Sequence, residues 1–130
     1  MSGDISGQLP AVVQRYVDAV NAFDTDAVLA TFAADAVVND NHREFADRTA
    51  IRTWIAGEIT GDRVTMEVTE ADVRPGVIVL RARYDGEFDK TDLPAELILT
   101  SYIVVRDDAI AALFIAFDTG DETGTVELTV

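Results

Sequence analysis

Apolar residues recur at helical spacing through the first half of the chain and switch to a period of two in the second half. Val12, Val13, Tyr16, Val17, Val20 and Phe23 are separated by steps of three and four, which predicts a helix from near Gln8 with one apolar face. Pro10 suits its first turn, where a missing N–H costs nothing. Arg15, Asp18 and Asn21 lie off that face. Asp24 is a natural cap for a second, short helix in which Val28, Leu29 and Phe32 form the buried stripe. Ala36-Val37-Val38-Asn39-Asp40 then reads as a strand that ends in a carboxylate, and Asn41 to Ala46 as a polar loop. Asp47 can cap a third helix with Ile51, Trp54, Ile55 and Ile59 on its apolar side, ended by Gly61-Asp62.

From Val64 onward the alternation is strand-like. Val64, Met66 and Val68 share one face, and Arg74-Pro75-Gly76 supplies a turn. Val77 to Tyr84 follows, with Ile78, Leu80, Ala82 and Tyr84 on one side and Val77, Val79, Arg81 and Arg83 on the other. Asp85 to Pro94 is charged and predicts a loop or a frayed strand end, because Pro94 cannot donate to a ladder. Ala95 to Arg106 is a long strand and Asp107-Asp108 a tight turn. Ala109 to Phe117 is nearly all apolar, which predicts a central strand buried on both sides. Met1 to Gly7 reads as a loose tail, and Glu127 to Val130 as a short edge strand or a loose end. The fold class is α+β: three N-terminal helices on a strongly curved antiparallel or mixed sheet, a cone with a cavity inside, in one domain spanning 1–130.

The totals narrow the function. Hydrophobic residues make up 48% of the chain, which is enough for a packed core despite a net charge of −14. The 24 acidic residues against 10 basic ones disfavour nucleic acid and anionic membranes, and favour a small ligand that is apolar or cationic. With no cysteine and a single histidine, His42, thiolate and multi-histidine metal sites are excluded. No metal or other cofactor is expected. There is no signal-peptide pattern and no apolar run of membrane-spanning length, so a soluble cytoplasmic protein is expected.

The run AVVQRYVDAVNAFDTDAVLATFAADAVVND and the later TAIRTWI resemble the nuclear transport factor 2-like (SnoaL-like) cone fold, over roughly Leu9 to Phe117. The first run is most similar to ketosteroid isomerase. That resemblance implies an oxyanion-donating tyrosine at Tyr16, a proton-moving carboxylate at Asp40 and a pocket-lining aromatic at Trp54. The isomerase's second donor, a protonated aspartic acid, would fall at Ser101 or its neighbour Tyr102; alternation points Ser101 inward. Phe32 and Ile55 stand where supporting tyrosines can occur, and the 85–94 loop is longer than in the isomerase.

The expected site therefore has Asp40 and Tyr16 as catalytic residues. The expected lining is Trp54, Ser101, Tyr84, Leu80, Ile103, Leu113, Ile115, Phe117 and Phe32. An isomerase- or cyclase-like reaction on a small apolar carbonyl compound is the leading expectation, with a non-catalytic binding protein or an epoxide or ester hydrolase as alternatives. Lacking the second acid, the chain should isomerise a Δ5-3-ketosteroid slowly or not at all. His42 reads as a solvated loop residue. Arg81 and Arg83 read as pairing on the convex face or at a subunit contact, and the acidic loop around Asp89, Lys90 and Asp92 as a solvated loop or, alternatively, a gate at the cavity mouth. A homodimer packed through the sheets is expected from the apolar residues on the outward face.

Overall fold

The computed structural model describes residues 9–117, so the expected N-terminal tail and the 127–130 strand lie outside the described residues. Helix α1 (Ala11–Asn21) starts later than the apolar period suggests. Pro10 is extended (φ −56°, ψ 148°), and its carbonyl accepts from the Val13 and Gln14 amides, both at 3.0 Å. Val12, Val13, Tyr16, Val17 and Val20 are buried as the spacing requires. Asp24 caps helix α2 (Thr25–Ala30) by accepting from the Ala27 amide at 3.1 Å, and Asp47 caps α3 (Arg48–Trp54) through Ala50 at 2.8 Å.

Three expected boundaries move. Phe32 is not the last residue of a helical stripe but the first of strand β1 (Phe32–Asp40), because α2 stops at Ala30 and Thr31 turns its hydroxyl back onto the Val28 carbonyl. The segment read as a polar loop contains strand β2 (Arg43–Phe45). Asn41 and His42 both take positive φ, 52° and 77°, so the chain reverses in two residues and Asp40 lies opposite Arg43. Such left-handed two-residue turns match the strand twist, and asparagine tolerates them. The helical stretch after Trp54 widens into a π-helical turn (Ile55–Ile59), closed by the Thr60 amide on the Ile55 carbonyl at 2.8 Å. Gly61 ends it where only glycine fits: a Cβ there would sit 2.2 Å from the Ala56 carbonyl oxygen.

Strands β3 (Thr65–Arg74), β4 (Val77–Asp85), β5 (Leu97–Arg106) and β6 (Ala109–Phe117) form an antiparallel run, and β1 adds to β6 in parallel. The sheet is therefore mixed, six-stranded and open, in the order β2-β1-β6-β5-β4-β3. Strand β6 is central, as expected, but it is not buried on both sides. Leu113 and Ile115 face the core, while Phe114 on the opposite face is 44% exposed. The helices cover only one face of the sheet, which leaves the outward row open. On that outward face Arg81 pairs with Glu70, and Arg83 pairs with Glu67 and Glu96.

Asn21, expected only to lie off the buried face, ties α1 to the edge strand. Its side-chain amide donates to the Met66 carbonyl at 3.0 Å, and its carbonyl oxygen accepts from the Met66 amide at 2.7 Å. Asn21→Ala leaves both backbone groups without these partners and should cost about 1–3 kcal/mol. Chemical denaturation measures this; a loss below about 0.5 kcal/mol, the level of an indifferent surface change, would deny the tie any structural role.

Candidate functional site

The hairpin between β1 and β2 builds the polar end of the site. Val38 and Asp40 point to the same side of β1, and their partners across the hairpin are Phe45 and Arg43. Helix α3 lays Trp54 against this hairpin, stacked on Phe45 with ring centroids 6.0 Å apart. The Trp54 indole Nε1 donates to Asp40 Oδ2 at 2.9 Å, and Arg43 Nη2 donates to the same oxygen at 3.2 Å. Arg43 also grips Glu58 of the π-helical turn with both terminal nitrogens, at 2.9 and 2.5 Å. The guanidinium holds the Glu58 carboxyl below the usual carboxylate range, against the opposing effect of its partial burial. The Asp40 side chain is 20% exposed, so it stands at the margin of the core rather than in water. Both donors land on Oδ2; Oδ1 accepts no hydrogen bond among the described residues.

The phenols lie deeper. Tyr16 is 1% exposed and packs edge-on to Phe32, with centroids 5.9 Å apart. Burial, then Tyr84, then the Asp40 charge push its phenol well above the ordinary value. Tyr84 is pushed up to about 12, chiefly by burial, with Asp40 adding to the rise. Ser101, a hydrogen-bonding neighbour of the phenol, partly offsets that rise, so the two hydroxyls lie close together, yet among the described residues neither oxygen meets a partner in full hydrogen-bond geometry. Leaving such a group unpaired typically costs about 1–3 kcal/mol. The Asp40 charge at the core margin thus reaches both phenols, although the three residues come from β1, α1 and β4.

Leu80, Ile103, Leu113, Ile115, Phe32 and Trp54 are all buried in the same cluster. Phe117 pairs with Leu99 through its backbone, and its side chain lies outside the described residues. A cleft of about 370 Å³ opens beside this cluster, between the end of β4 and the loop that follows. Phe88, Lys90, Leu93 and Pro94 form its outer wall, and Tyr84 belongs to both the cleft and the interior. His42 is exposed on the turn, away from any bonding role for its ring. Among the described residues no three His, Asp or Glu side chains converge as a metal-ligand set.

Sequence reading missed Arg43 and Glu58. The available signal was the Asn-His pair after Asp40, since a two-residue turn there puts position 43 directly opposite position 40. Glu58 had no such signal, because its approach depends on the π-helical widening.

Residues 13–113 match the family model described as a SnoaL-like domain. A candidate polyketide cyclase from Sinorhizobium meliloti is 33% identical, with a TM-score of 0.75, over 85% of this chain and 97% of that one. A protein with a ketosteroid isomerase-like fold from Catenulispora acidiphila, solved with trimethylamine, is 20% identical, with a TM-score of 0.69, over 85% and 87% of the two chains. The epoxide hydrolase/cyclase-like enzyme SalBIII, which acts in pyran ring formation in salinomycin, is 16% identical, with a TM-score of 0.73, over 85% and 91%. These last two likenesses concern the fold alone. The comparison with curated proteins gave no match.

The buried phenols make stability pH-dependent. In the unfolded chain Tyr84 loses its proton near pH 10, and in the fold at about 12. The unfolded state therefore gives up the proton first. This contribution is complete below about pH 10 and is lost as pH rises toward about 12, amounting to roughly 2–3 kcal/mol. Denaturant midpoints across this range should fall in the natural protein and fall less in Tyr84→Phe. Parallel declines in both would place the Tyr84 hydroxyl in water.

Proposed function

We propose that this chain, which belongs to the SnoaL-like domain family, is an isomerase- or cyclase-like enzyme acting on a small, mostly apolar carbonyl compound. The observation that carries the reading is the asymmetry of Asp40. Trp54 and Arg43 fix one carboxylate oxygen, the other is left open, and the charge is felt by two buried phenols. A carboxylate held in this way is oriented without being used up.

In the proposed reaction Asp40 Oδ1 takes a proton from the carbon next to the carbonyl. The C–H electron pair becomes the new C=C bond, and the carbonyl π pair moves onto oxygen, where the Tyr16 hydroxyl donates to the enolate. The buried phenol suits that role because packing fixes its position and it stays protonated, able to donate, at ordinary pH. Asp40 then returns the proton to a different carbon, completing an isomerisation. In a cyclisation the enolate carbon instead attacks a second carbonyl of the same molecule, and Asp40 protonates the new alkoxide. Ser101 is an auxiliary contact in either case. The ligand lies against Trp54, Tyr84, Leu80, Ile103, Leu113, Ile115 and Phe32, on the sheet face that packs against the helices. The cleft beside Tyr84 supports access under the 85–94 loop.

One observation favours a second reading. Arg43 stands between two carboxylates, Asp40 and Glu58, and such an arrangement can orient an acid and a base about a water for epoxide or ester hydrolysis. Label from isotopic water would then enter the product, which isomerisation and cyclisation do not require. A protein that binds such ligands without turnover is the remaining alternative.

A homodimer through the outward sheet face belongs to the same proposal. Val79, Tyr102 and Phe114 lie side by side across β4, β5 and β6, with Tyr102 45% and Phe114 44% exposed. Two such rows facing each other would cover them both.

Two outcomes follow. Asp40→Asn should lower the conversion of a β,γ-unsaturated ketone to its conjugated isomer by about 10²–10⁴-fold while leaving its binding nearly intact. Failure of the natural protein to turn over any of a ketone series that it binds would leave the binding-protein reading in its place. Light scattering should give a dimer mass for the natural chain and a monomer mass for Tyr102→Glu/Phe114→Glu; a natural monomer at micromolar concentration rules the dimer out.

A further inference from the structure

The interior holds two neighbouring hydroxyls whose hydrogen-bonding capacity is unmet among the described residues. Tyr84 on β4 and Ser101 on β5 both occupy core-facing positions of adjacent strands, 8% and 0% exposed. Among the described residues neither oxygen meets a partner in hydrogen-bond geometry. Native interiors rarely leave such groups unpaired without a ligand, water or function to explain them. Neither residue can give up its hydroxyl by rotating into solvent, because each lies within the sheet's buried face. A carbonyl oxygen accepts two hydrogen bonds at once, so a single ligand atom satisfies both donors, and the third lone pair of the enolate oxygen takes the Tyr16 bond as charge develops. Tyr84 also forms part of the cleft under the 85–94 loop, which gives such an atom a route in.

We propose that the Tyr84 and Ser101 hydroxyls together form the subsite for the ligand's carbonyl oxygen, with Tyr84 the second donor to the enolate beside Tyr16. This rests on the enolisation reading above for its catalytic half; the oxygen subsite itself rests only on the paired, unmatched donors. The sequence resemblance points to Ser101 alone at this place, where a lone serine is a weak substitute for a protonated acid. A phenol is a stronger acid than an aliphatic alcohol and donates more strongly to a developing negative charge, so Tyr84 supplies what Ser101 lacks. Its position on β4 also explains why comparison of single positions along β5 does not find it. The proton balance is unchanged: Asp40 takes and returns the proton, and Tyr84 and Ser101 keep theirs while donating hydrogen bonds to the oxygen.

The test uses 2-naphthol, an aromatic enol whose ionised form mimics an enolate and whose fluorescence reports its ionisation. Its binding is measured against pH in the full chain, in Tyr84→Phe, Ser101→Ala and Asp40→Asn. The last variant imitates the protonated carboxyl present once the enolate has formed. Tyr84→Phe should weaken the ionised probe by about tenfold or more, and Ser101→Ala by less. Asp40→Asn should tighten it, because the negative charge facing the probe is gone. Unchanged affinity in Tyr84→Phe, or no binding to the natural chain at millimolar probe, overturns the subsite. Tightening in Asp40→Asn alongside an indifferent Tyr84→Phe keeps Asp40 as the proton shuttle and removes only Tyr84. Weakening in Tyr84→Phe with no response to Asp40→Asn keeps the oxygen subsite and removes the shuttle. If Tyr84→Phe is thermally more stable yet binds the probe like the natural chain, the two hydroxyls serve a buried water and the proposal fails. Tyr84→Phe removes one oxygen without altering packing, and its thermal unfolding is recorded alongside to confirm the fold.

Discussion

The parallel pairing of β1 with β6 is the constraint on which the rest depends. Strands β3 to β6 can form by successive hairpins, each register set by its own turn. Strand β1 has no such help, since its partner lies far along the chain, at Ala112 to Ile115. Once that ladder forms, the helices before and after β1 are brought over one face of the sheet, and Asp40 is set opposite Ile115 at the margin of the core. Ladders of this kind close long loops and form late or slowly for that reason. The ladder also bends: its register breaks between Phe32 and Val37, so the strand begins beside Ile110 and runs regularly only toward the Asp40 end. The regular end is the one that carries Asp40 and the candidate site.

Around Asp40 the electrostatics are arranged by geometry more than by burial. The carboxylate is partly exposed, and its bonds come from an indole and a guanidinium, one neutral and one charged. Arg43 is shared with Glu58, whose two bonds to it are closer than the one to Asp40. The guanidinium is thus held chiefly by Glu58 while also donating to Asp40 Oδ2, which keeps it in place and leaves Oδ1 open. The π-helical turn makes this possible by bringing Glu58 round toward β2. Such turns are rare and frequently lie at functional sites.

Much of the fold was legible because its signals are local. Asp24 and Asp47 announce their helices, Gly76 and the Asp107-Asp108 turn announce theirs, and alternation correctly sent Leu80, Ser101, Ile103 and Tyr84 to the core side. The likeness of the first forty residues to a known fold supplied the roles proposed for Tyr16 and Asp40, which no period could suggest. What stayed hidden is non-local or conformational. The strand at Arg43–Phe45 is too polar and short for alternation to reveal, and depends on two left-handed residues that are not glycine. The exposure of Phe114 could not be read from composition, because an apolar outward row looks the same in sequence as a buried one. Tyr84 read as lining only; that its hydroxyl lacks a partner is a property of the folded interior.

The tie between Asn21 and Met66 has a consequence for how the molecule keeps to itself in a crowded solution. An outermost strand shows a ladder of bare amides and carbonyls on which another chain can grow. Among the described residues the two ends of the sheet are guarded differently. Strand β2 has only three residues, too few to template much. Strand β3 is long, but an asparagine already occupies the backbone groups of Met66, and the register slips between Val68 and Glu70. A side chain on a helix thus acts as a stopper against strand-to-strand aggregation, at the end of the sheet farthest from β2.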